Sequence, residues 1–126
     1  MLRLIRIAQI TTRLTGLALI VLGALIWAGN PALKNAHMGL GLLFVIALWS
    51  ITVAGAIART GTALVLRGAI WGVVVLWLGM VQARIWPGES HVYVRVLHLV
   101  VGLVAIGIAE MLAARIKKGL TAAAKV

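Results

Sequence analysis

An all-α membrane protein, an up-down bundle of four transmembrane helices in one domain spanning residues 1–126, is the fold this sequence predicts. Three observations carry the prediction. The chain has 126 residues, of which 63% are hydrophobic and 11% charged, against about 25% charged in an ordinary soluble domain. With a mean hydropathy of +1.15, it has too little polar surface to coat a globule in water. A membrane-spanning helix needs about 20 residues, so the length suits four spans with short connections and no soluble catalytic domain.

Each element follows from local signals. Residues 1–13 set Arg3, Arg6 and Arg13 against Leu2, Leu4, Ile5, Ile7 and Ile10. This basic amphipathic stretch either lies at the cytoplasmic interface or extends the first helix. Residues 14–29 form an uncharged first span ending near Trp27. A basic start before an apolar run also describes a signal peptide. No small-x-small cleavage site follows, however, and the segment has an internal copy. Asn30-Pro31 predicts a helix start, Asn as N-cap and Pro in first position, for a second span over 31–58. Arg59-Thr-Gly-Thr is a turn, and the third span covers 64–86, past Arg67. Pro87 to Ser90 is the next loop, with Ser90 as N-cap of a fourth span over 91–114; a basic, frayed tail follows.

The formal charge of +10 comes from twelve Lys and Arg against Glu89 and Glu110. These cations flank apolar runs, so they read as orientation signals and not as a nucleic-acid surface. Some can also meet anionic headgroups. With the N-terminus inside, the inner side holds Arg3, Arg6, Arg13, Arg59, Arg67, Arg115, Lys117, Lys118 and Lys125, and the outer side only Lys34, Arg84 and Arg95. Both termini are therefore expected on the cytoplasmic side of the cell's inner (plasma) membrane. Trp27 and Trp86 fall at the outer interface and Trp71 near the inner one.

The chain has no Cys, which excludes disulfides, iron–sulfur ligation, thiolate chemistry and covalent haem attachment. Two isolated Glu exclude paired-carboxylate catalysis and carboxylate di-metal sites. Whether the chain is an enzyme stays open. A cofactor, if one is held, must be held by His.

Two stretches repeat. Gly16 and Gly23 in the first span match Gly72 and Gly79 in the third, with Leu before the second glycine each time. Lys34-x-x-His37-x-x-x-Gly41-Leu42 in the second span matches Arg95-x-x-His98-x-x-x-Gly102-Leu103 in the fourth. Two helix pairs in the same orientation imply a pseudo-twofold axis along the membrane normal.

The repeat sets His37 and His98 at similar depth, roughly 10–12 Å from the outer helix ends at 1.5 Å per residue. They lie on helices expected diagonally opposite, about 11–14 Å apart, with space for one metal between the rings. Gly41 and Gly102 lie one turn below each His and give clearance for a flat macrocycle. The pairs Gly16/Gly23 and Gly72/Gly79 line faces that flank its edges. Lys34 and Arg95 lie one turn above, with Arg84 nearby, placed to pair with carboxylates. Each feature has a plainer reading: a membrane His as an interhelical hydrogen-bonder, glycines as packing seams, cations snorkelling to headgroups. His91 is expected to be exposed and not a ligand. Glu110 should pair with Arg13, Arg59, Arg67 or Arg115, and Thr15, Ser50 and Thr52 should bond to backbone carbonyls. Gln82 is placed to touch a cofactor edge or a quinone, or to bridge helices.

On these residues the chain resembles the small membrane-embedded b-type cytochromes. They include the four-helix cores of ascorbate- and quinol-linked cytochromes b and the haem-carrying anchors of succinate dehydrogenase and fumarate reductase. The resemblance implies one non-covalent haem b with His37 and His98 as iron ligands, Gly41 and Gly102 as clearance, and Lys34 and Arg95 on the propionates. Many members carry four membrane His and two haems; this chain has no inner-half His, so one haem cannot by itself carry electrons across the bilayer. Bis-His ligation favours electron transfer, with a quinol pool, a redox partner protein or a larger complex. The residues alone leave other readings open: a non-redox membrane subunit or assembly partner, a small transporter with the His pair as its metal or proton site, or a ligand set for another tetrapyrrole such as (bacterio)chlorophyll.

Overall fold

The structure, a computed structural model, describes residues 1–123. Four helices make up the described chain: α1 (Leu2–Trp27), α2 (Lys34–Ile57), α3 (Thr62–Val81) and α4 (His91–Ala123). A 3-10 turn, Pro31–Leu33, leads into α2, and another, Gln82–Arg84, follows α3. All four helices are long and apolar enough to cross a membrane, so this is a multi-pass membrane protein. The end holding Leu2, the α2–α3 turn and Ala123 is termed the inner end. Lys125, placed among the inner cations, lies outside the described residues.

α1 begins at Leu2, so the basic stretch extends the helix. Its buried face, Ile5, Gln9, Thr12 and Gly16, steps by four, three and four residues, which is one side of an α-helix. α4 likewise runs past residue 114, because Ile116 is fully buried and holds that turn in the bundle.

Asn30 does not cap the helix that follows it. Its side-chain Nδ2 donates to Leu25 O at 3.2 Å, and the first turn after it is 3-10. Gly29 has φ +104°; its N–H donates to Ile26 O, and the Asn30 N–H to Leu25 O. That pattern is a Schellman C-cap, which satisfies carbonyls α1 would otherwise leave open. α2 ends the same way. Arg59 takes the left-handed position at φ +52°, the Arg59 and Thr60 N–H groups donate to Ala56 O and Gly55 O, and Thr60 Oγ1 also donates to Gly55 O.

Sequential helices are neighbours, and α4 closes back on α1. α2 and α4 also approach with Cα–Cα separations within 8 Å, whereas α1 and α3 do not among the described residues. The cross-section is therefore a rhombus squeezed along the α2–α4 diagonal, tighter than the even square expected from helix spacing alone. Ala105 and Ala109 of α4, both at 0% exposure, let the backbones come close.

The packed core sits in the inner half, around Ile5, Leu48, Ile51, Ala109, Leu112 and Ile116. Towards the outer end buried apolar side chains are sparser, Leu78, Val94 and Val101 among the described residues. Thr15, Ser50 and Thr52 donate to Thr11 O, Ile46 O and Leu48 O. Trp71 is not an inner-interface anchor: it is half-buried, and its Nε1 donates across from α3 to Val101 O of α4 at 2.9 Å. Trp27 and Trp86, 46% and 66% exposed, lie at the outer ends.

A polar clamp fastens α1 to α4 near the inner end. Arg13 meets Glu110 through Nε and Nη2 at 2.6 and 2.7 Å. Gln9, 6% exposed, donates its amide to Glu110 Oε2 at 2.6 Å and accepts from Lys117 Nζ. Truncating the carboxylate strands a buried amide, which costs about 1–3 kcal/mol. Glu110→Ala is therefore expected to lower unfolding stability in detergent by that amount, measured by loss of helicity on denaturant titration, whereas Glu89→Ala, in the exposed α3–α4 loop, should leave it unchanged.

Candidate functional site

His37 sits one turn into α2 and His98 two turns into α4. The squeezed diagonal brings the two half-buried rings together, with centroids 6.2 Å apart and planes inclined at 49°. No hydrogen bond joins them. Nδ1 of each ring is sealed from solvent and has no hydrogen-bond partner among the described residues. An unmet buried polar atom is costly and uncommon, and one on each of two neighbouring rings calls for a chemical explanation.

Each ring is backed by a glycine from the preceding helix. A Cβ at Gly23 of α1 would stand 3.5 Å from His37 Cε1, and one at Gly79 of α3 would stand 3.7 Å from His98 Cε1. The two halves thus use the same device: the second glycine of one helix receives the imidazole of the next. The sequence repeat is a structural repeat at these four residues. Gly23 and Gly79 abut the imidazoles themselves. Gly16 and Gly72 do something else: Gly16 lies against Ile106 and Phe44, and Gly72 against the Trp49 indole.

Gly41 and Gly102, one turn inward from each His, are open. A Cβ at Gly41 would meet only Leu19, at 3.9 Å, and one at Gly102 would meet nothing within 4 Å. The outer cations Lys34, Arg84 and Arg95 are all exposed. Arg95 lies over the Trp27 ring, 5.8 Å from its centroid, a cation–π contact that ties α4 to α1. His91 is half-buried, with Nδ1 3.2 Å from Ile85 O, so it ties down the α3–α4 loop. Gln82 is half-buried in the 3-10 turn after α3.

The ring spacing lies in the range of an ordinary tilted ring contact, about 4.5–7 Å between centroids, and two specific pairings can be set beside it. A direct N–H···N bond of about 2.9 Å, with ring centres about 1.2 Å behind each nitrogen, would put the centroids near 5.3 Å. Two imidazoles on opposite sides of one metal ion, each nitrogen about 2.0–2.1 Å from it, put them near 6.4 Å. The observed 6.2 Å is longer than a direct hydrogen bond gives and is reached by ring packing and by a shared metal ion alike. No group of three or more His, Cys, Asp or Glu is gathered among the described residues, so the protein alone cannot complete a tetrahedral site. A tetrapyrrole brings its own four nitrogens and needs only two from the chain.

Concave surfaces lie elsewhere, along Ile46, Trp49, Ser50 and Val53 and at the α2–α3 turn. Sequence reasoning missed the Gly–His contacts, the Trp71 bridge and the Gln9 part of the clamp. Identical spacing of glycines and histidines in both halves was the available signal for the first. Comparison of the chain with protein-family models, curated proteins and solved structures returns no match in any of the three.

Proposed function

We propose that this chain is a membrane b-type cytochrome holding one non-covalent haem b between α2 and α4, in the outer half of the bundle. The observation that carries the reading is the pair of neighbouring imidazoles, 6.2 Å between centroids, each with a buried and unpartnered Nδ1. His37 and His98 would be the axial ligands. Gly41 and Gly102 keep side chains off the macrocycle, and Lys34, Arg95 and Arg84 supply positive charge for its propionates. Bound haem supplies a reversible one-electron step at iron. The chain would supply two imidazoles, His37 and His98, to hold the iron, an arrangement that suits electron transfer. It also surrounds the site with apolar helix faces, and it orients the imidazoles through Gly23 and Gly79. The chain is then set in the cell's inner membrane with both termini cytoplasmic, as the cation distribution supports. A quinol pool or a redox partner protein, alone or within a larger complex, would exchange electrons at its outer side.

The test is the absorption spectrum of protein purified after haem-replete expression. A sharp low-spin Soret band and resolved α and β bands on reduction are expected; a folded, colourless protein overturns the reading. Gly102→Leu sharpens it. Since no described atom lies within 4 Å of a Cβ there, the leucine should leave helicity and melting unchanged but lower the haem-to-protein ratio. Full haem content in that variant would remove Gly102 from the site.

A second reading, a non-redox subunit or assembly partner, draws on Gly16 and Gly72, whose contacts are helix packing alone. Under it, His98→Leu changes neither colour nor partner binding.

A further inference from the structure

The inner end of the bundle is stepped. Arg115 Nη1 of α4 reaches Thr60 O in the α2–α3 turn at 3.4 Å. From there α4 continues to Ala123, about 12 Å further at 1.5 Å per residue. α1 runs beside it, with Ile5 and Ile116 at 2% and 0% exposure, so the overhang is packed. At the foot of the step the α2–α3 turn forms a recess lined by Gly55, Ala56, Arg59, Thr60, Gly61 and Thr62.

Two arginines border this recess, one from the α2–α3 turn and one from α4. Arg59 lies in its lining, and Arg115 stands at its wall, 3.7 Å from the Cβ position of Gly61. Glu110, the one acidic side chain among the described residues at this end, is held by Arg13. Arg59 also occupies a left-handed backbone position, φ +52°. Glycine fills such a position without steric cost, and Gly29 does so at the end of α1. The chain places a guanidinium where glycine would fit more easily. Beside the recess, Ile57 and Leu66 are 66% and 54% exposed on the lipid-facing surface.

We infer that this recess binds the phosphate headgroup of an anionic phospholipid of the inner leaflet, with Arg59 and Arg115 on two sides of it. The clustered guanidinium groups suit a phosphate. The flanking exposed isoleucine and leucine suit acyl chains, which selects a lipid over free phosphate. The site is independent of the His pair and would operate with or without haem.

The experiment is native mass spectrometry of the full chain, delipidated in mild detergent and titrated with phosphatidylglycerol or phosphatidylcholine. Phosphatidylglycerol adducts should exceed phosphatidylcholine adducts by about fivefold for each arginine engaged. The double variant Arg59→Gln/Arg115→Gln should lose that preference, Arg3→Gln/Arg6→Gln should keep it, and millimolar inorganic phosphate should not displace the lipid. Arg59→Gly guards against misfolding as the cause: it relieves the left-handed strain, so it should melt no lower than wild type while its preference falls about fivefold. Equal binding of the two lipids by wild type, equal losses in the Arg3/Arg6 control, displacement by phosphate, or full preference in folded Arg59→Gly would each overturn the inference.

Discussion

Replacing either His37 or His98 with alanine is expected to abolish the low-spin b-type spectrum and to cut haem content at least about tenfold, a loss on the scale of removing one ligand or its support from a metal site. Each substitution should suffice alone, because the two imidazoles are the only protein ligands the proposed site has and each holds one face. The fold should survive. The rings lie in the outer half, where buried apolar side chains are sparse, and the core is centred on Leu48, Ala109 and Leu112 further inward. A further consequence concerns sign. Without haem, each ring carries a buried, unmet nitrogen, and an apolar residue of similar size removes that desolvation cost. His37→Leu should therefore match or exceed wild type in stability when both are prepared free of haem, and fall below it when wild type is loaded. Haem content and denaturant titration on the same samples check both halves. An alanine variant that keeps its colour and band positions would refute the assignment of that histidine.

The four spans were legible because uncharged apolar runs alternate with strong punctuation at Asn30-Pro31, Arg59 to Thr62 and Pro87 to Ser90. The ends were less so. Nothing between Leu2 and Gly16 breaks a helix, but the arginines there read equally well as an interfacial stretch; tertiary burial of Ile5 and Gln9 decides for the helix. Asn30 can cap either neighbour, and the positive φ of Gly29 turns it back to α1. A seven-residue glycine spacing states that two residues share a face, not what the face meets. Gly23 and Gly79 meet imidazoles, and Gly16 and Gly72 meet Ile106 and Trp49. The histidine pair was legible from the repeated cation, His and Gly pattern, which sets both residues near the outer ends of helices that run in the same direction. The 6.2 Å between the rings was not, because it depends on how far small residues such as Ala105 and Ala109 let α2 and α4 close.

Gly72→Ala is expected to destabilise the bundle by about 1–3 kcal/mol, the usual cost of forcing extra volume into a packed contact. A Cβ there would stand 2.8 and 2.9 Å from Trp49 Cε2 and Cδ1, and nearer still to Nε1. The indole cannot swing aside freely, since its Nε1 donates to Ala69 O on the same α3. Gly16→Ala makes an informative contrast. Its Cβ would meet the end of the Ile106 side chain at 2.9 Å, and a terminal methyl can rotate away, so the loss should be smaller. At Gly107 nothing lies within 4 Å, and alanine should stabilise by up to about 1 kcal/mol through helix propensity. Adding Trp49→Leu to Gly72→Ala should recover part of the loss, because the two side chains compete for the same volume, and a double-mutant cycle in detergent measures that coupling. The contact matters beyond stability. α3 also carries Gly79, the residue that backs His98, two turns nearer the outer end. Pushing α3 away from α2 at Gly72 therefore shifts the support of one imidazole, and Gly72→Ala should weaken haem retention as well as melting. If it unfolds like wild type, Trp49 does not set the α2–α3 spacing, and the position of Gly79 against His98 is fixed by the packing of α3 on α4, which includes the Trp71 to Val101 bridge.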